Sequence, residues 1–360
     1  MSKPLNNLCM DILTKENSII LRGLGITSIM LHNFLTSPQF GLSRCNEMSF
    51  STEKTWLFLN SLGHSNTIAE FIAFLGWAGV PVFIFLTGYG VTISSSSSHV
   101  ESLKYIKKQW LKLLLLLAPM LIVFGIQDLI QHDYATFVRR LFYPTLLVNF
   151  AYPFLRAVPG VYWYFSLTFQ FYLIWAIWGE SLNKKNLLWY SLLFLVGLWL
   201  LCIANIPSLL SIYKHCFTGW FFLFAFGVYM AKYKNNYFSH IVTTWWQELL
   251  FIILLLFFVI VMHLYLESWL FVPFVALLFF IFMGKLILRF TILSKTISFI
   301  GGYSASIFVC HPLIKSVVSK MGFRYTDNML ILVLSYVILT LVLSILYSRL
   351  YNYLRTKFVS

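Results

Sequence analysis

An arginine and a histidine stand ten positions apart in Arg22–Phe34, RGLGITSIMLHNF, with only apolar or small residues between them. Histidine titrates near neutrality and suits the removal of a proton from a hydroxyl. Arginine offers a planar fork that fits phosphate oxygens. On a helix the two would lie about 15 Å apart along the axis. That arrangement suits a reaction that collects a reactant at one face and uses it further in. Each residue also has a plainer reading. The histidine could be a neutral imidazole hydrogen-bonded between helices, and the arginine could snorkel to a membrane surface.

The setting decides how much weight the pair carries. Of the 360 residues, 59% are hydrophobic and 11% charged, and the mean hydropathy is +0.80. Ionisable groups within a bilayer are costly, so a histidine placed there points to function. The +14 net charge could suggest nucleic acid. The basic residues, however, fall in short loops between apolar runs, as loops on anionic lipid do, and no nucleic acid partner is expected. Cys9, Cys45, Cys202, Cys216 and Cys310 form no CxxC or metal-ligand spacing, so neither a disulfide nor a metal site is expected. No metalloprotease, P-loop or dinucleotide fingerprint occurs. Ser94–Ser98 reads as a loop and has no nucleophile elbow around it.

Hydropathy draws ten spans, near 18–36, 69–93, 110–131, 161–178, 186–206, 215–231, 246–264, 268–288, 297–318 and 328–348. The expected fold is therefore an all-α polytopic membrane protein of about ten transmembrane helices, one domain over 1–360. The first apolar run holds Arg22 and shows no small-residue cleavage site after it, so it is read as a retained helix. Region 137–160 is apolar but short and is broken by Pro144, Pro153 and Pro159. If it does not cross, most Lys and Arg residues fall on one side with both termini, and the positive-inside rule makes that side cytoplasmic. Region 137–160 is then an outer-face or re-entrant segment that could wall a substrate site.

Four stretches in order resemble the acyltransferase 3 family of integral-membrane enzymes. They are Arg22–Phe34, Gly76–Gly90 (GWAGVPVFIFLTGYG), Val161–Trp175 (VYWYFSLTFQFYLIW) and Gly301–Ile314 (GGYSASIFVCHPLI). The resemblance implies transfer of an acyl group, often acetyl, from cytoplasmic acyl-CoA. Typical acceptors are hydroxyls of cell-envelope polysaccharides or lipid-linked glycans, at a bacterial inner membrane. The arginine–histidine spacing is one residue shorter than the family pattern. Asn33 therefore stands where the family has histidine, about 100° round the helix from His32.

Under that resemblance His32 is the expected general base and Arg22 a contact for the CoA phosphates, with Lys104 beside it on the same face. His311 lies at about the same depth as His32 and could share the chemistry or stabilise charge; a core hydrogen bond is its alternative. Glu70 could orient a histidine as a triad carboxylate does, or simply suit a helix N-terminus. Trp163, Tyr164, Gln170 and Asn33 are the expected acceptor contacts, Trp163 by stacking on a sugar ring; a place in the interfacial belt is its alternative. Asp128 is an intramembrane acid expected to pair with a base or meet the acceptor, and Arg44 and Glu47 could touch it from an outer loop. Pro81 is expected to kink the second span, and Gly79, Gly88, Gly301 and Gly302 to allow close helix approach. Two other readings fit the composition: a transporter or flippase of a lipid-linked glycan, and a non-catalytic membrane relative. Inverted repeats, the usual mark of the former, are not evident.

Overall fold

The computed structural model describes residues 12–14, 17–42, 52–64, 66–95, 102–157, 159–179, 181–233, 244–321 and 328–359. Cys9, Arg44, Cys45, Glu47 and the serines at 96–98 lie outside these. The described residues are helices and turns without strands. In lipid this is forced, because a helix satisfies its own backbone donors and acceptors where no water can.

Chain order sets the labels. α1 is Ser18–Leu35, α2 Thr52–Ser61, α3 Thr67–Leu75, α4 Val80–Ser95, α5 Ser102–Ile130, α6 Tyr134–Arg140 and α7 Tyr152–Leu155. After these come α8 Trp163–Trp178, α9 Lys184–Ala204, α10 Pro207–His215, α11 Phe217–Tyr233, α12 Trp245–Met262, α13 Val272–Leu288, α14 Thr291–Gly302, α15 Ser304–Met321 and α16 Met329–Phe358. Among the described residues seven helical stretches are long and apolar enough to cross a membrane, or eight if α14 and α15, bent by 74°, form one span. The expected spans near 161–178 and 268–288 fall on α8 and α13, of 16 and 17 residues. Both are short of the roughly 20 that an untilted span needs.

α1 is the hub. It packs on α3, α4, α13, α14 and α15 and on the 3-10 turn Gly76–Gly79. The second apolar span breaks at that turn, just before Pro81. A proline is tolerated in the first turn of a helix, where its missing N–H costs nothing, so Pro81 opens α4 instead of kinking it. The tightest pairing is α4 on α11. A Cβ on Gly88 or Gly227 would collide with the backbone carbonyl of Phe224 or Phe85 respectively, so glycine lets the two backbones touch.

Two buried ion pairs tie helix ends together. Asp128 of α5 accepts from Nε and Nη2 of Arg140 of α6 at 2.7 and 3.0 Å. The Arg140 guanidinium also lies 5.4 Å from the Phe124 ring centroid. Thus the intramembrane acid takes the first of its two expected roles and pairs with a base. Glu248 of α12 accepts two 2.8 Å bonds from Arg289 at the end of α13, with Lys285 at 3.6 Å.

Region 137–160 makes no continuous helix. It holds the end of α6 and a series of one-turn fragments. Fully buried Asn149 stitches it down, its Nδ2 donating to the carbonyls of Trp163 and His215 at 2.9 and 2.6 Å. The segment braces the start of α8 from behind.

Candidate active site

The site grows from α1. His32 is buried, and its Nδ1 donates to the carbonyl of Ala73 at 3.0 Å. A carbonyl can only accept, so the proton sits on Nδ1 and the lone pair on Nε2. Ala73 lies in the last turn of α3, where carbonyls lose their helical partners because the chain switches into the Gly76–Gly79 turn. The same break brings Gly76 against the histidine. A Cβ there would lie 2.5 Å from His32 Cβ and 2.8 Å from the Ser28 carbonyl. Ser28 Oγ in turn donates to the Gly76 carbonyl at 2.9 Å.

His32 faces a cavity of about 460 Å³ enclosed mainly by α1, α4, α5 and α8. That volume lies within the range of small-molecule pockets. Arg22, Asn33, Trp163 and Tyr164 line the same cavity. Arg22 is exposed, one and a half helical turns into α1, and its charge is felt by Tyr164 and Tyr172. Thr87 and Thr168 stand beside Tyr164 in the lining, their hydroxyls donating to the carbonyls of Phe83 and Tyr164 at 2.8 and 2.9 Å. Tyr105 and Gln109 stand in the same lining. Neutral hydrogen-bonding groups thus join a cation and a histidine along one walled space. Trp163 is 4% exposed, with Trp220 stacked behind it at 6.2 Å and His215 edge-on at 5.4 Å.

Four residues singled out in the sequence stand elsewhere. His311 is fully buried outside the cavity lining. Its Nδ1 donates to the Ile307 carbonyl at 3.1 Å, and Nε2 has no hydrogen-bond partner among the described residues. Glu70 lies in the first turn of α3, half-buried; the group bonded to His32 Nδ1 is the Ala73 carbonyl, one turn further on. Gln170 is buried, and its Oε1 accepts the backbone N–H of Phe217 at 2.9 Å. It serves the otherwise orphaned N-terminus of α11. Lys104 is exposed in the first turn of α5, next to lining residue Tyr105. Among the described residues, region 137–160 contributes none to the cavity lining.

Sequence reasoning passed over several lining residues that helical spacing could have found. Thr168 and Tyr172 follow the expected Tyr164 at i+4 steps, and Tyr105, Gln109 and Leu113 recur likewise, which marks one face of α8 and one of α5. Lys315 was not among the candidates either. From α15 this lysine reaches α1 and donates to the Asn33 carbonyl, and it acts electrostatically on both His32 and His311.

The fold and the site define an integral-membrane protein with a buried histidine at a cavity between helices, and the family follows from comparison. The chain matches the acyltransferase domain profile of the acyltransferase 3 family over residues 17–349, nearly its whole length. It belongs to that family of membrane acyltransferases. No curated protein and no solved structure matches it.

Proposed function

We propose that this acyltransferase moves an acyl group, acetyl in the simplest case, from cytoplasmic acyl-CoA to a hydroxyl of a cell-envelope polysaccharide or lipid-linked glycan. The observation that carries the proposal is that Arg22 and His32 line one cavity, with His32 Nδ1 committed to Ala73 and Nε2 left basic. The nucleotide end of the donor docks by Arg22, where the guanidinium meets phosphate oxygens. The pantetheine arm threads past Thr87, Tyr164 and Thr168, whose hydroxyls suit its amides. At the thioester, His32 Nε2 takes the acceptor hydroxyl proton as the oxygen attacks the carbonyl carbon. The C–S bond then breaks, and the thiolate leaves with that proton. The excess of basic residues on one set of loops supports an inner-membrane location with both termini in the cytoplasm.

Purified protein in lipid nanodiscs is given acetyl-CoA and pooled envelope glycans, and free CoA is measured. Acceptor-stimulated release in wild type, lost in folded His32→Ala, supports the reading. Release unchanged in the variant removes His32 as the base. No release from wild type with any donor overturns acyl-CoA as the donor class and favours a transporter.

A further inference from the structure

Arg156 lies in the segment that braces α8. It is exposed, and no carboxylate among the described residues pairs with it. The two acids that precede it most closely are committed elsewhere, Asp128 to Arg140 and Asp133 to the N–H of Thr136. Its guanidinium covers Gly160, where the chain turns into α8. A Cβ on Gly160 would lie 3.4 Å from both Nε and Nη2 of Arg156, and 3.6 Å from the Tyr152 hydroxyl.

Gly160 adjoins Val161, which lines the cavity, and a packed row of buried rings backs that edge. The Tyr152 ring stacks on His215 at 3.5 Å, His215 meets Trp163 edge-on at 5.4 Å, and Trp163 lines the space that holds His32. Lys214, buried over the Trp269 ring at 5.0 Å, and Arg156 both act electrostatically on His215. The local field is therefore positive, and Arg156 is its exposed member.

We propose that Arg156 is an acceptor-recognition residue, and that the acceptor carries an oxyanion, a sugar carboxylate or a phosphate, which its guanidinium binds while the reacting hydroxyl lies past Trp163 towards His32. The inference rests on the acyl-transfer reading for what happens to that hydroxyl; the anion site itself does not. A guanidinium binds either oxyanion through two parallel N–H···O bonds. Lysine supplies charge without that geometry.

The experiment uses full-length protein in nanodiscs of zwitterionic lipid. It compares three glycans that differ only in charge: neutral, carboxylate-bearing and phosphate-bearing. Equilibrium binding without donor and acceptor KM with acetyl-CoA are both measured, for wild type, Arg156→Gln and Arg156→Lys, with folding checked by thermal shift. The expected result is tighter binding of a charged glycan by about ten- to hundredfold, erased in Arg156→Gln and partly kept in Arg156→Lys. The change should fall on acceptor KM more than on kcat. Which charged glycan responds identifies the oxyanion. Equal binding of all three glycans, or a preference that survives Arg156→Gln, overturns the proposal. So does a preference that disappears when anionic phospholipid is added, because Arg156 would then be a lipid-headgroup contact. Charge-selective, Arg156-dependent binding with no CoA release would keep the anion site and overturn acyl transfer from acyl-CoA.

Discussion

His32 and Ala73 are joined across two helices by a 3.0 Å hydrogen bond from the imidazole Nδ1 to a backbone carbonyl. The bond selects one tautomer and one ring orientation, and it leaves Nε2 as the only nitrogen able to accept a proton. The break at Gly76–Gly79 exposes the carbonyl, so a feature of backbone geometry sets the chemistry of a side chain about four helical turns into α1.

His32→Ala should lower kcat by about 10²- to 10⁴-fold, the usual contribution of a positioned general base. In wild type the rate should fall as pH drops and the imidazole charges, because a protonated Nε2 cannot accept. That acid limb should be missing from the residual activity of His32→Ala. CoA release measured across pH in both proteins checks this, and an unchanged acid limb in the variant would assign it to another group.

Gly76→Ala should damage activity without removing any polar group. The added methyl meets His32 Cβ and the Ser28 carbonyl inside contact distance, so α1 and the Gly76–Gly79 turn must separate. Overpacking of this kind costs about 1–3 kcal/mol. Thermal shift should show that loss, and kcat should fall with little change in donor KM.

Thr87→Val and Tyr164→Phe should weaken the donor side of the reaction. Each removes a hydroxyl from the cavity wall between Arg22 and His32, and a neutral hydrogen bond contributes about 1 kcal/mol. The expected outcome is a severalfold rise in KM for acetyl-CoA. The acceptor KM should hold steady, and steady-state kinetics with each substrate varied in turn separates the two.

Breaking the Asp128–Arg140 pair should unfold the bundle's edge. Arg140→Gln leaves a buried carboxylate without its partner, at about 3–5 kcal/mol. Replacing both residues with apolar ones of similar volume, Asp128→Leu with Arg140→Met, should recover most of that. Detergent-melting temperatures of the single and double variants test it.

Asp133, outside the membrane-spanning helices, caps α6. Hydrogen bonds from the side chain and backbone of Thr136 hold its carboxyl below the ordinary range. A depressed folded-state value means that the ionised cap stabilises above the ordinary carboxylate range and stops doing so as pH falls through the folded value. Asp133→Ala should therefore melt lower than wild type at neutral pH and converge with it in acid.

The bundle was legible because uninterrupted apolar runs such as those of α9, α12 and α16 admit no other structure in lipid. Arg22 and His32 were legible for the complementary reason, since ionisable residues inside such a run stand out. Other features depend on helix partners that hydropathy does not specify. The 74° bend between α14 and α15 and the reach of Lys315 to Asn33 are of this kind. Gln170 shows the converse error: a polar residue in an apolar run reads as a ligand contact, yet it satisfies the end of a neighbouring helix. Trp163 could be read as belt or binder, and its place at the cavity depends on the packing of Asn149, His215 and Trp220 around it.

The group that aims His32 is a main-chain oxygen, and no side-chain replacement at Ala73 can delete it. A saturation mutagenesis screen would therefore score Ala73 as tolerant of small residues and give no sign that the position directs the histidine. Such a screen would record the dependence at Gly76, whose own peptide unit touches no reactant. Only a backbone ester in place of the amide, or a shift of the α3 break by insertion, would show at position 73 itself what the side chains conceal.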